Sequence, residues 1–165
     1  MRKTIIGVMG PGDNPTSQDL ENAEELGVLI AKEGWVLLTG GRKEGVMNAA
    51  SKGAQEAGGL VVGVLHTPDL SGMSEYVDIP IVTGMGGARN NINVLSSDVV
   101  IACGMQAGTA SEIALAIKAG KQVILLADDE EGKVFFRRLG GEGISIVNAP
   151  KEAIDVCQSI LTNKI

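Results

Sequence analysis

At 165 residues, 44% hydrophobic and 21% charged, the chain has the length and polarity of one soluble domain with a buried core. A net charge of −6 without a run of Lys or Arg argues against a nucleic-acid surface, and no apolar stretch has the length of a membrane span or a signal h-region, so a cytoplasmic protein is expected. Two Phe, one Trp and one Tyr leave the core to aliphatic side chains, while 23 glycines, about double ordinary usage, point to loops that approach a ligand closely.

Residues 4–9 read as a first strand that ends in Gly10, Pro11 and Gly12. A helix follows from Thr16, where Thr16 and Asp19 form a capping-box pattern, and carries Leu20, Ala23, Leu26 and Ile30 at helical spacing. The second strand, 35–39, runs into a loop containing Gly40, Gly41, Arg42 and Gly45, and a helix spans 46–57. A third strand at 60–65 precedes a polar loop at 66–76, the longest irregular piece and a candidate lid. A short strand at 79–82 leads through Gly84, Gly86 and Gly87 into a helix at 89–95.

The stretch 97–126 carries the strongest pattern: an apolar strand at 99–103, a turn from Gly104 to Gly108, a helix with Ile113, Ala114, Ala116 and Ile117 on its apolar face, and a strand at 121–127. An acidic turn at 128–132, a short helix at 133–139, a strand at 144–147 and a helix at 150–162 with Pro150 at N1 complete the chain. Alternating strands and helices, with strands that are continuous aliphatic runs, predict a single doubly wound Rossmann-like α/β domain over 1–165, its mostly parallel sheet covered by helices on both faces. In such folds ligands bind at the carboxyl ends of the strands, where the glycine clusters fall.

A conventional dinucleotide site is rejected, because the glycines after the first strand are wrongly spaced and the second strand ends in Thr39-Gly40 without an acidic residue. ATP hydrolysis is disfavoured too: Gly40 and Gly45 have phosphate-loop spacing, but Val46 and Met47 stand where Lys and Ser or Thr are needed. The turn into the helix at Gly108 and Thr109 points backbone N–H groups and a positive dipole end at one spot, a place for an anion such as phosphate. Thr109-Ala110-Ser111-Glu112 allows two readings, a capping box or a carboxylate at the mouth of the crevice. Arg89 is either a surface ion-pair partner or a residue of the same crevice. His66 has no partner motif, Asp128 to Glu131 fit no metal loop, and Cys103 and Cys157 lack motif spacing, so free thiols, no metal and no resident cofactor are expected.

Two motifs in order carry a family resemblance. Gly40-Gly41-Arg42-Lys43-Glu44-Gly45-Val46-Met47 resembles G-G-G-x-x-G-x-M, and Gly104-Met105-Gln106-Ala107-Gly108-Thr109-Ala110-Ser111-Glu112 resembles P-G-G-x-G-T-x-x-E, both of the LONELY GUY-like superfamily, often labelled lysine decarboxylase. Characterised members are phosphoribohydrolases that release the base from cytokinin riboside 5′-monophosphates or AMP. The fold is shared with molybdenum cofactor carriers and the DNA-processing protein A group. The resemblance implies Arg89 and Glu112 as the catalytic pair, with Gly108 and Thr109 on the phosphate and Gly40, Gly41 and Gly45 lining the nucleotide. Gly10, Arg42, Met47, Gly86, Gly104 and Gln106 complete the implied ligand site, and a homodimer or larger homo-oligomer is implied as well. The chain departs from the hydrolases at Asn90, where they have Lys, at Met105 and Gln106, where they have glycines, at Arg42 in place of a third glycine, and at Asn48 in place of a small residue. The expected function is binding of a small phosphorylated ligand, with N-glycosidic hydrolysis of a nucleoside 5′-monophosphate by Arg89 and Glu112. The alternative is a non-catalytic carrier for a molybdopterin-type cofactor or a nucleotide. No nucleic-acid or membrane partner is expected, and the acidic charge disfavours DNA processing.

Overall fold

Aliphatic runs produce seven strands, β1 (Ile5–Met9), β2 (Val36–Thr39), β3 (Leu60–Leu65), β4 (Ile79–Val82), β5 (Val99–Cys103), β6 (Val123–Leu126) and β7 (Ile144–Ile146). Between and after them lie α1 (Ser17–Lys32), α2 (Gly45–Glu56), α3 (Arg89–Ser96), α4 (Ala107–Lys118), α5 (Glu130–Gly140) and α6 (Pro150–Thr162). These elements come from a computed structural model that describes residues 2–163; Met1, Lys164 and Ile165 lie outside the described residues. The strands form one parallel sheet in the order β4-β3-β2-β1-β5-β6-β7. The chain therefore winds outward from β1 to one edge, returns to β5 on the other side of β1, and winds outward again. That reversal opens a crevice between the carboxyl ends of β1 and β5.

Each inner strand is apolar on both faces because both are covered. Ile6, Val8, Leu37, Ile101 and Ile124 pack under α1, α2 and α6, whereas Met9, Leu38, Val100, Ala102 and Leu125 pack under α3, α4 and α5. In α4, Ala116 is buried on the sheet, while Ala114 and the C-cap residue Ala119 are exposed. Edge strand β4 has four exposed residues, and Pro80 within it removes one N–H from the open edge.

Local signals set most helix ends. Thr16 and Asp19 close the expected capping box, each side chain accepting from the other's backbone N–H at 3.0 Å. The acidic turn is shorter than the sequence pattern indicated, because Asp129 is an N-cap that accepts from the Gly132 N–H at 2.9 Å and Glu130 and Glu131 occupy the first turn of α5, where the helix dipole favours them. The 66–76 loop is strapped down. Ser74 N donates to Gly41 O at 2.9 Å, Lys43 N donates to Gly72 O at 3.0 Å, and Ser74 Oγ donates to Asn48 Oδ1 at 2.8 Å. A segment bonded this way to the β2–α2 loop is a brace for that loop.

Helices α1 and α2 cross almost backbone to backbone. A Cβ built on Gly27 would lie 2.1 Å from Ala50 O, and one on Gly53 would lie 2.0 Å from Glu24 O. Helix propensity alone makes Gly→Ala favourable by about 1 kcal/mol. Here the sign reverses, and Gly27→Ala is expected to lose about 1–3 kcal/mol through overpacking, read as a lower midpoint in urea unfolding.

Candidate functional site

At the carboxyl ends of β1, β2, β3 and β5 lies a cleft of about 270 Å³. Gly10, Gly40, Arg42, Met47, Gly86, Arg89, Gln106, Gly108, Thr109 and Glu112, ten of the residues singled out in the sequence, line it. Gly41, Gly45 and Gly104 do not. They shape the loops from behind: Gly45 has φ +61° with a would-be Cβ 2.1 Å from Pro11 O, and Gly104 has φ +81° against Asp19 and Pro11.

Two buried charges form the base of the cleft. Arg89 opens α3 and Glu112 lies in α4, 8% and 6% exposed, with Arg89 Nη1 3.9 Å from Glu112 Oε1. Arg89 Nη1 also donates to Asn90 Oδ1 at 2.7 Å and Nη2 to Gly40 O at 3.4 Å, while Nε has no partner among the described residues. Asn93 Nδ2, fully buried on α3, donates to Glu112 Oε1 at 3.0 Å. Burial pushes the Glu112 carboxyl up to about 7, against downward pulls from the Asn93 hydrogen bond and the Arg89 charge. Burial likewise lowers the Arg89 guanidinium, as does Arg42, while Glu112 supports its charge. The capping-box reading of Glu112 does not hold. The N-cap of α4 is Gln106, earlier than the Thr109-to-Glu112 pattern requires, so Glu112 falls beyond the first turn and faces α3.

The amino end of α4 supplies a different chemistry. Its first-turn N–H groups have no side-chain cap among the described residues, and Thr109, 2% exposed, has a buried Oγ1 without a partner among them. Gly108, also in that turn, and Gly87 across the cleft both have ordinary φ values, and a Cβ on either would meet nothing within 4 Å. Neither turn geometry nor packing asks for glycine at these two places. Their effect is to keep the cleft walls bare, next to unpaired N–H groups suited to an anion.

Sequence reasoning missed Asn93, which reads as an ordinary helix residue because only the α3–α4 packing brings it to Glu112. It also missed His66, just after β3, which lines the cleft with Nδ1 buried and unpartnered among the described residues. Burial lowers the His66 imidazole, and the Arg89 and Arg42 charges lower it further. Asp13 is a third cleft residue without a motif. The departures from the hydrolase pattern find local roles. Asn90 accepts from Arg89 and donates to Ser111 Oγ at 3.1 Å, Asn48 holds the strap, Met105 packs half-buried against the core, and Gln106 Nε2 donates to Asn14 O at 3.2 Å. Both thiols are free and buried, pushed up to about 12 by burial, so neither is reactive at neutral pH. Among the described residues no group of three or more His, Cys, Asp and Glu could hold a metal ion, and no helix is long and apolar enough to cross a membrane.

Known proteins resemble this chain over nearly its whole length. The molybdenum cofactor binding protein from Rippkaea orientalis is 56% identical, with a TM-score of 0.96 covering 98% of this chain and 99% of that one. The molybdenum cofactor carrier protein from Chlamydomonas reinhardtii is 51% identical, with a TM-score of 0.92 over 98% of this chain and 99% of its own. An uncharacterised protein from Archaeoglobus fulgidus is 41% identical over 160 residues, 96% of this chain and 97% of its own length. The LONELY GUY-like resemblance carried by the two loops stands: with the family model matching residues 3–154, the chain belongs to the SLOG cluster4 family.

Proposed function

We propose that this chain holds a phosphorylated pterin of the molybdenum-cofactor type in the cleft between β1 and β5 and carries it without reaction. The observation that carries this reading is the likeness, at 56% identity over 98% of the chain, to a protein described as binding that cofactor. The physical fit is independent of it. The cargo is a pterin with a phosphate and a dithiolene that holds molybdenum, and it is anionic. The α4 amino end, with Gly108 and the Thr109 hydroxyl, suits the phosphate. Arg89 supplies a buried cation beside it, and the bare walls at Gly87 and Gly108 leave room for the ring system.

A second reading, hydrolysis of the N-glycosidic bond of a nucleoside 5′-monophosphate, is favoured by one observation. Arg89 and Glu112 face each other in the cleft, and a carboxyl near 7 suits a general acid or base. Against it, Asn90 and Asn93 tie down both members of the pair.

Three outcomes follow. Purified chain mixed with cofactor released from a molybdoenzyme is expected to retain it through gel filtration at one cofactor per chain. Free base should not appear from AMP or any other nucleoside 5′-monophosphate; base release by wild type but not by Glu112→Ala would instead establish the hydrolase. Thr109→Val, which keeps shape and removes the hydroxyl, should weaken cofactor binding about tenfold in a fluorescence titration.

The pH dependence has a definite sign. Below about 7 Glu112 is neutral and Arg89 is uncompensated, whereas above it a carboxylate stands beside the bound anion. Affinity should therefore fall between pH 6 and 8, by up to about tenfold per unit at most, and the fall should vanish in Glu112→Gln titrated in parallel.

A further inference from the structure

The strap over the β2–α2 loop encloses one residue. Gly41 O and Lys43 N, on either side of Arg42, are bonded to Ser74 and Gly72 of the 66–76 segment, and Arg42 itself pairs with Met73 in an isolated antiparallel bridge. With its side chain 29% exposed, Arg42 is a placed residue on the cleft wall. Its guanidinium is only partly used. Nε donates to Glu44 Oε2 at 3.2 Å, Nη2 reaches Asp13 Oδ1 at 3.5 Å, and Nη1 makes no bond among the described residues. Nη1 lies over Gly12, where a Cβ would come within 2.9 Å of it. Asp13 lines the same cleft with a 75% exposed carboxylate, so its long contact to Arg42 opens at little cost.

Position matters as much as chemistry. Arg42 follows β2 and the anion-ready helix follows β5, with β1 between them. Two strand spacings separate the carboxyl ends of β2 and β5 by roughly 10 Å. That is the separation between the phosphate and the far edge of a fused two-ring heterocycle joined by a short linker.

A guanidinium and a carboxylate side by side present donors next to an acceptor. The 2-amino-4-oxopyrimidine edge of a pterin presents the complement: a carbonyl acceptor beside ring N–H and amino donors. Arginine reads the equivalent carbonyl and ring nitrogen of guanine in the same forked manner. We infer that Arg42 and Asp13 form a ring-reading pole of the cleft, specific for 2-amino-4-oxo heterocycles, with the 66–76 strap holding Arg42 in place. This inference rests on the cofactor reading above and names the ring chemistry selected within it.

The test uses the full chain and two probes, 6-hydroxymethylpterin phosphate and its lumazine counterpart, in which an oxo group replaces the 2-amino group. Wild type should bind the pterin at least tenfold more tightly than the lumazine. Asp13→Ala should erase that preference. Arg42→Lys, which keeps the charge and removes the fork, should weaken pterin phosphate about tenfold while the affinity for inorganic phosphate, measured directly, is unchanged. Unfolding midpoints equal to wild type confirm that the variants fold. Equal affinity of wild type for both probes, or unaltered pterin binding in both variants while the cofactor itself still binds, overturns the ring-reading pole and leaves the carrier reading standing. Failure of wild type to bind either the pterin phosphate or the cofactor overturns both.

Discussion

Everything in the cleft is arranged around a guanidinium and a carboxylate kept out of water and not quite in contact. Arg89 and Glu112 lie 3.9 Å apart at its base, a distance at which Coulomb attraction offsets only part of their lost hydration. The remainder is supplied by neutral groups. Asn90 and the Gly40 carbonyl hold the cation, and Asn93 holds the anion. Glu112 adapts instead by rising to about 7, so the site switches its net charge near neutral pH. The α3–α4 packing that sets this pair also places the amino end of α4 over the crevice, and the sheet reversal between β1 and β5 leaves the crevice open.

Much of this architecture was legible in the sequence because it is written in local patterns. Apolar runs broken by glycine gave the strands, the Thr16–Asp19 box and Pro150 gave two helix starts, and the parallel order followed from alternation. Glu112 was legible through its place in a loop that resembles a known superfamily, and Arg89 through the arginine that the same resemblance implies in the helix before it. What stayed hidden depends on contacts between segments distant in sequence. Asn93 matters only because α3 packs on α4, and the 66–76 segment looked free because its bonds go to Gly41, Lys43 and Asn48. Gly41, Gly45 and Gly104 looked like ligand-binding glycines; their positive φ angles make them turn formers behind the wall. Composition cannot separate those two uses of glycine, whereas a Cβ test in three dimensions can.

The departures from the hydrolase pattern tell a consistent physical story. Three of them replace a small or basic residue with one that ties the site to itself: Asn90 to Arg89 and Ser111, Asn48 to the strap, Gln106 across to the loop after β1. A site braced in this way suits retention of a ligand. Of the solved structures that resemble this chain over nearly its whole length, one is described as a molybdenum cofactor binding protein and one as a molybdenum cofactor carrier protein.

The most direct test of the proposed carrier role is recovery of the cargo in working form. Chain loaded with molybdenum cofactor and separated from free cofactor is mixed with an apo-molybdoenzyme, and restored enzyme activity is compared with the molybdenum originally bound. The carrier account predicts restored activity in proportion to bound molybdenum, with pterin and phosphate intact. Bound cofactor that comes back dephosphorylated or cleaved, or that restores no activity, would contradict it.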